Sequence, residues 1–155
     1  MAGDTLSTRG STKLFGCRKV ARTERFLFGF TGSLAVIQPM YEWVAMLDQE
    51  EAKDIHIRDF YKLAQRIELG GDYDGYALLA DREGTVFELV SNCHVVPSRA
   101  GFHAIGSGAS YALGALHMGA TAEKAVMAAI SYDSDTGGMV RTISFDDPVT
   151  HPLDA

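Results

Sequence analysis

The spacing of apolar and polar positions along this chain switches several times between the two-residue period of strands and the 3.6-residue period of helices. Short apolar runs predict strands at residues 19–22, 26–31, 76–80, 85–90, 93–96, 102–105 and 139–145. The run at 26–31 is almost continuous, which is typical of a strand that is buried on both faces. Residues 5–16 are rich in Ser, Thr and Gly and predict a loop.

Four segments carry apolar residues three and four positions apart, which predicts amphipathic helices. Their apolar faces consist of Ile37, Met40, Tyr41 and Val44; Phe60, Leu63, Ala64 and Ile67; Ala109, Ala112, Leu113 and Leu116; and Ala125, Ala128 and Ala129, with Tyr132 as a further candidate. Ser33 and Thr121 are predicted N-caps, and Gly119 is predicted to end the third helix. Ser107 is a further candidate cap, for the third helix.

The predicted order is strands, two helices, strands, two helices and one strand. Two helix pairs separated by groups of strands indicate an α+β fold, in which two sheets stack face to face with a helix layer outside each. We therefore predict a four-layer αββα sandwich that forms a single domain over residues 1–145. Residues 2–4 resemble the end of a strand, so the first strand is expected to be incomplete. Residues 146–155 contain two prolines and predict a loosely held tail.

Composition narrows the range of functions. Apolar residues make up 46% of the chain and charged residues 22%, which are ordinary values for a globular protein. The net charge of −6 argues against a nucleic-acid-binding surface, which needs clustered positive charge. Cys17 and Cys93 form no C-x-x-C motif, which favours reduced thiols in the cytoplasm. We expect no signal peptide and no membrane span, because no apolar run approaches about 18 residues.

Two polar turns carry the candidate chemistry. Residues 106–108 place Ser107 between a predicted strand and a helix, and residues 133–138 read Asp-Ser-Asp-Thr-Gly-Gly between a helix and the last strand. This order would bring hydroxyl and carboxylate groups to one edge of a sheet. Such a layout suits catalysis but needs a nucleophile, and no residue of the chain fills that role convincingly.

Other interpretations of these residues stay open at this point. The Gly-Ser-Gly turn could bind phosphate at a helix N-terminus, although it lacks the Gly-Lys-Ser/Thr ending of a P-loop. Residues 133–135 resemble part of a calcium loop without its acidic end. The histidines show no metal-ligand spacing. Cys17 lies near Lys19 in sequence and could be a nucleophile with a lowered pKa or an inert buried thiol.

In their order along the chain, these motifs resemble those of proteasome β subunits and the bacterial HslV peptidase, which are N-terminal-nucleophile threonine hydrolases. The matching pieces are Ala2-Gly3-Asp4, Arg18-Lys19-Val20, Gly29-Phe30-Thr31-Gly32, Ile105-Gly106-Ser107-Gly108 and Asp133-Ser134-Asp135-Thr136-Gly137-Gly138-Met139. The similarity covers residues 2 to about 145. The last two pieces together are fairly specific, whereas each alone is weak.

The resemblance implies a catalytic arrangement around a threonine at the chain terminus. The hydroxyl of that threonine attacks a peptide carbonyl, and its own α-amine acts as the base. Lys19 matches the lysine beside the hydroxyl, and Asp4 matches the carboxylate that orients the lysine. Ser107, Asp133 and Thr136 match the residues that hydrogen-bond near the terminal amine and complete the network.

The resemblance also implies how substrate is held. Gly32 matches the glycine whose N–H contributes to the oxyanion hole, and Phe30 and Leu34 match walls of the side-chain pocket. The spacing near Lys19 differs by about one residue from that of HslV, so Arg18 is a lesser alternative. No metal or cofactor is implied. The substrates would be peptides or unfolded proteins, and the subunits would form a homo-oligomeric ring in the cytoplasm, with an ATP-dependent unfoldase as a candidate partner.

The chain departs from the family at its start. Met1 stands directly before Ala2, whereas the family has a threonine-led strand beginning about a dozen residues earlier. Ala2 has no hydroxyl, and loss of such a nucleophile typically costs about six powers of ten in rate. We expect the chain as given to be inactive, with a natural start further upstream; the alternative is a non-catalytic ring or peptide-binding subunit. Lys19, Ser107 and residues 133–136 should converge on a slot built for the missing hydroxyl.

Overall fold

The computed structural model describes residues 1–9, 12–32, 75–90 and 94–150. The first two predicted helices, with apolar faces at 37–44 and 60–67, lie outside these ranges, as does Leu34. In chain order the described elements are β1 (Ala2–Gly3), β2 (Leu6–Arg9), β3 (Thr12–Phe15), β4 (Val20–Arg22), β5 (Leu27–Gly32), β6 (Gly75–Ala80), β7 (Val86–Val90), β8 (His94–Pro97), α1 (Ala109–His117), α2 (Ala122–Tyr132) and β9 (Arg141–Thr142).

Strands β4 to β8 form an antiparallel sheet in which each strand lies beside the next one along the chain. All five were predicted from their apolar runs, and each end of each strand agrees with the prediction to within one residue. Phe28 of β5 pairs with Leu79 of β6, and both side chains are fully buried. Residues 26–30 are all buried, so the apolar run is buried on both faces of the sheet, as predicted.

The prediction of a loop over residues 5–16 is wrong, because β2 and β3 pair there as a β-hairpin. Leu6 is only 2% exposed, and its side chain lies against Gly137. The N–H groups of Gly16 and Cys17 both donate to the Thr5 carbonyl, at 3.0 and 3.1 Å, and close the hairpin. Packing against residues far along the chain thus outweighs the local turn-rich composition.

Two further strand predictions need correction. Residues 102–105 form no strand and pair with no described strand. They are held instead by a side-chain contact in which His103 Nε2 lies 2.8 Å from Glu88 Oε2. Of the predicted strand at 139–145, only β9 is regular, because its partner β1 offers just two residues for pairing. An apolar run becomes a strand only where a neighbouring backbone can complete the ladder.

The two helices pack against each other as a hairpin, and the buried residues of their faces are Ala112, Ala125 and Ala129. The candidate Tyr132 is wrong, because its side chain is 74% exposed. Two predicted helix signals are confirmed: the Thr121 hydroxyl accepts a hydrogen bond from the Lys124 N–H at 3.3 Å, and Gly119 follows α1 with a φ of +86°. The predicted cap on α1 is wrong. Its N-cap residue is Gly108, and the Ser107 side chain makes no capping bond.

The helix hairpin, the β1–β9 pair and the five-stranded sheet lie in three successive layers. Helix α2 contacts β1 and β9. Strand β1 lies close to the five-stranded sheet. A Cβ atom added to Gly3 would lie 2.9 Å from Val20 Cγ1, and a Cβ atom added to Gly29 would lie 3.0 Å from Met1 Sδ. The second helix layer of the predicted sandwich falls outside the described residues, so the four-layer architecture stays a prediction.

The described part of the predicted tail contacts the body of the protein. The Thr150 N–H donates to the Arg22 carbonyl at 2.9 Å, and the Asp147 carboxylate accepts a bond from the Ser144 N–H at 2.7 Å. The prediction that residues 146–155 as a whole form a loosely held tail is not tested by these contacts. In the described ranges, no helix combines the length and the apolar character needed to cross a membrane.

Candidate active site

A cleft of about 670 Å³ lies between the helix hairpin and the five-stranded sheet. The β1–β9 pair lies in the layer between them. The lining of the cleft includes Leu78 and Val20 from the sheet and Ala112 and Ala125 from the helices.

One polar group at the cleft is an ion pair between Asp4 and Lys19. Lys19 Nζ lies 2.7 Å from Asp4 Oδ1, and both side chains are largely buried. The other carboxylate oxygen, Asp4 Oδ2, accepts hydrogen bonds from the Leu6 N–H at 3.2 Å and the Gly137 N–H at 2.9 Å. With three donors around it, the carboxylate is fixed, and it in turn fixes the ammonium group of Lys19.

A second polar group is formed by Ser107, Asp133 and Thr136. The Thr136 hydroxyl donates to Asp133 Oδ2 at 2.5 Å, and Ser107 Oγ lies 3.5 Å from Thr136 Oγ1. Hydrogen bonds from the Ser107 hydroxyl, and then from the Thr136 hydroxyl, lower the pKa of Asp133, although desolvation opposes them. Asp133 therefore stays ionised at neutral pH and can accept a further donor.

The two groups meet at the same cleft. Lys19, Ser107 and Thr136 line it, and Asp133 is bonded directly to Thr136. The Gly137 N–H follows Thr136 in the chain and donates to Asp4, which ties the 133–138 turn to the ion pair. The structure thus places all five of the predicted catalytic side chains around one cleft; their roles in catalysis stay predictions.

Of the residues predicted to bind substrate, Phe30 and Gly32 lie at the cleft, and Leu34 is outside the described residues. Phe30 is 5% exposed, and its N–H donates to the Lys19 carbonyl at 3.0 Å, so strand pairing fixes its position next to the ion pair. Gly32 has a φ of +105°, a conformation that side-chain-bearing residues rarely adopt. The backbone at Gly32 can therefore turn in a way that would strain any other residue.

Sequence reasoning missed two features of the cleft wall. Thr31 Oγ1 lies 3.3 Å from the Cβ position of Gly106, so the two residues bring β5 and the 106–108 turn into contact. His103, paired with Glu88, also lines the cleft. Side chains along β5 alternate between the two faces of the sheet, so Thr31 lies on the same face as Gly29. This alternation could have indicated Thr31 as a residue of the cleft wall. No local signal marks the His103–Glu88 pair, because it joins residues on different elements.

Cys17 also lines the cleft, and the structure favours the inert interpretation of its thiol. Burial raises the pKa of Cys17, with the nearby Lys19 opposing that effect and Asp4 adding to it. The thiol is therefore protonated at neutral pH and is a weak nucleophile. Within the described ranges, no group of three or more His, Cys, Asp and Glu residues is arranged to hold a metal ion.

Gly108 is expected to be intolerant of any side chain. A Cβ at this position would lie 2.6 Å from Thr136 Oγ1 and 2.7 Å from Ala129 Cβ, both inside van der Waals contact. We expect Gly108→Ala to lower the free energy of unfolding by about 1–3 kcal/mol, since it overpacks a buried site. Urea-induced unfolding followed by circular dichroism measures this change.

Gly114 provides the matched control for this substitution. It lies inside α1, and nothing is within 4 Å of its Cβ position. Gly114→Ala should therefore raise the free energy of unfolding by about 0.5–1 kcal/mol, because alanine restricts the unfolded chain and favours the helix. Equal changes in the free energy of unfolding for the two substitutions would contradict the close packing of Thr136 and Ala129 against Gly108.

Comparison with known proteins supports the fold and leaves the activity open. No protein-family model matches the sequence, and no curated protein matches it. Among solved structures, eukaryotic HslV from Trypanosoma brucei matches with a TM-score of 0.73 and 22% sequence identity, covering 90% of this chain and 88% of that one. The chain therefore has an HslV-like fold over most of its length.

Proposed function

We propose that this chain is a subunit of a threonine-type peptidase similar to HslV and the proteasome β subunits. The nucleophile would be a threonine on a leading strand that enters the cleft next to Lys19. The observation that carries the proposal is the placement of two oriented polar groups, Asp4–Lys19 and Ser107–Thr136–Asp133, around one cleft in an HslV-like fold.

In this proposal the chain's own residues prepare the threonine for attack. The Lys19 ammonium, held by Asp4, favours loss of the hydroxyl proton. The threonine α-amine takes that proton while the hydroxyl oxygen attacks the peptide carbonyl. The ionised Asp133, with Ser107 and Thr136, orients the protonated amine. The Gly32 N–H stabilises the negative charge that develops on the carbonyl oxygen. The proton then passes to the leaving amine, and water hydrolyses the resulting ester.

Phe30 and Leu34 would form the walls of the pocket for the substrate side chain, which favours apolar residues in peptides or unfolded proteins. We further propose that the subunits assemble as a homo-oligomeric ring in the cytoplasm, and that an ATP-dependent unfoldase supplies unfolded chains. No metal or cofactor is part of this mechanism.

The alternative is a non-catalytic ring or peptide-binding subunit. In that case the same cleft would hold a peptide without cleaving it.

A covalent labelling experiment separates the two functions. The chain is produced in two forms: as given, and with a threonine-led segment of about a dozen residues added before Ala2 and its leading threonine exposed. Both forms are treated with a peptide-based electrophile that acylates threonine hydroxyls, and the intact mass is measured. We expect an adduct on the threonine-led form and none on the chain as given.

Replacing the leading threonine with alanine in the extended form provides the control and should abolish the adduct. Labelling of the alanine-led form would contradict the proposed nucleophile. A threonine-led form that folds but is never labelled would favour the non-catalytic alternative.

A further inference from the structure

One wall of the cleft is a segment that no strand ladder holds in place. This wall segment, residues 101–106, lines the cleft along its whole length. Gly101 and Gly106 have φ values of +73° and +99°, so the chain can turn sharply at both ends of the segment. In the described part of the chain, residues 102–105 pair with no strand. The position of the wall segment therefore depends on the contacts of its side chains.

The wall segment spans the space between the five-stranded sheet and the helix hairpin. His103 Nε2 lies 2.8 Å from Glu88 Oε2 on β7, whereas Ala104 packs against the alanine cluster of the helices. Two consecutive residues thus contact opposite layers. Strand β1 lies in the same space above β4, where a Cβ atom added to Gly3 would meet Val20. The two layers therefore have a spacer at each side of the cleft: the β1–β9 pair above β4 and the wall segment above β7.

The Glu88 carboxylate lies on the apolar cleft face of the sheet. Glu88 pairs directly with Leu78, which lines the cleft, so their side chains share one face. The Glu88 side chain is 23% exposed, and within the described ranges its carboxylate has no partner other than His103. A largely buried carboxylate that loses its only donor is costly. The pair therefore resists separation and holds the wall segment against β7.

We infer that His103, held by Glu88, is a positioning residue that sets the spacing between the two polar groups of the cleft. Lys19 belongs to the sheet side, because its carbonyl accepts a bond from the Phe30 N–H. Ser107 belongs to the helix side, because it directly follows the wall segment and leads into α1. Release of His103 from Glu88 lets the helix hairpin move relative to the sheet, and Ser107 moves with it. The catalytic consequence rests on the function proposed above, but the support of the cleft does not.

Limited digestion with trypsin tests whether the pair holds the wall segment. Arg99 is exposed and lies just before the segment, and cleavage after it requires the neighbouring chain to open locally. We expect His103→Leu to be cleaved there roughly 10–100 times faster than the parent chain, which is the effect of losing a hydrogen bond to a charged group. Cleavage after Lys13, an exposed residue on β3, should keep its parent rate and provides the internal reference.

Three further variants define the cause. His103→Gln can still donate to Glu88 and should be cleaved after Arg99 like the parent. Glu88→Leu removes the acceptor but suits the apolar face, so it should open the segment as His103→Leu does while the sheet stays folded. His117→Leu removes an exposed histidine at the end of α1 and should have no effect. Parent-like cleavage after Arg99 in both His103→Leu and Glu88→Leu would overturn the inference.

Methyl relaxation dispersion on the chain as given tests the spacing itself. Leu78 lines the cleft from the sheet and Ala112 from the helices. In His103→Leu their methyl groups should show added exchange on the μs–ms timescale, because the two layers move relative to each other. Leu79, fully buried on the other face of the sheet, should show none. Faster cleavage after Arg99 without added exchange at Leu78 and Ala112 would mean that the segment opens while the layers stay fixed, which would also overturn the inference.

The threonine-led form measures the catalytic consequence. There, His103→Leu should lower kcat roughly 10–100-fold, and His103→Gln should restore it. KM should stay within a few-fold, because Phe30 and Gly32, which are proposed to hold the substrate, are both on β5. A parent-like kcat in His103→Leu would reject the positioning role. If the threonine-led parent is itself inactive while the cleavage and relaxation results hold, the peptidase is contradicted and the support of the cleft by His103 stands.

Discussion

Replacing Asp4 with alanine is expected to lower the free energy of unfolding by about 3–5 kcal/mol. Asp4 is 8% exposed and accepts bonds from the Lys19 ammonium and from the N–H groups of Leu6 and Gly137. Without the carboxylate, the largely buried Lys19 ammonium loses its counter-ion and the Gly137 N–H loses its acceptor, at about 1–3 kcal/mol for each unsatisfied group. The Leu6 N–H keeps its bond to the Gly137 carbonyl at 3.0 Å. Urea unfolding followed by circular dichroism measures the loss.

Two variants show whether charge and hydrogen bonding account for this effect. Asp4→Asn keeps an oxygen acceptor but removes the charge, so it should fall between the parent and Asp4→Ala. Asp146 is exposed, and Asp146→Ala should change stability by no more than about 0.5 kcal/mol. A value for Asp4→Ala as small as that of Asp146→Ala would mean that Asp4 does not anchor the 133–138 turn.

The second large effect is expected on rate and concerns Lys19. In the threonine-led form, Lys19→Met should lower kcat/KM for a peptide substrate by roughly 10²–10³-fold, because the positive charge that favours the ionised hydroxyl is lost. Methionine has a similar length and keeps the packing of the stem. Because Asp4 then loses its partner, unfolding curves must accompany the kinetics, to separate lost activity from lost structure.

Lys13 offers the matched control. It is an exposed lysine on the β2–β3 hairpin, and its Nζ donates to the Ser134 carbonyl at 3.0 Å. Lys13→Met removes the same charge near the same turn without touching the ion pair, so kcat/KM should stay within a few-fold of the parent. If both variants lose activity equally, a general effect of positive charge would explain the result, and the specific role of Lys19 would be rejected.

Local pattern was sufficient for much of this fold. The strands β4 to β8 follow from apolar runs whose side chains occupy both faces of a buried sheet. Helices α1 and α2 follow from the spacing of their alanines, and the Thr121 cap and Gly119 end follow from local backbone chemistry. The two turns that hold Ser107 and Thr136 were also evident, because each lies at the end of a predicted element, whereas Lys19 was implied only by the resemblance to a known family. These features need only neighbouring residues to form.

The remaining features depend on residues far apart in the chain. The β2–β3 hairpin forms because Leu6 packs against Gly137. The Ser107 hydroxyl lies beside Thr136 instead of capping a helix. Strand β9 is short because its partner β1 offers two residues for pairing, and residues 102–105 pair with no strand in the part of the chain that the structure describes.

The sequence by itself therefore determined the strands β4 to β8, the helices α1 and α2 and the two polar turns. Only the tertiary structure decided that Asp4 accepts a bond from Gly137, and that the middle layer leaves a cleft between alanine-lined helices and the sheet. The physical reason is that periodicity records how a segment divides its own faces between core and solvent. The partner against which each face packs, and the space left between them, are set by contacts between distant segments.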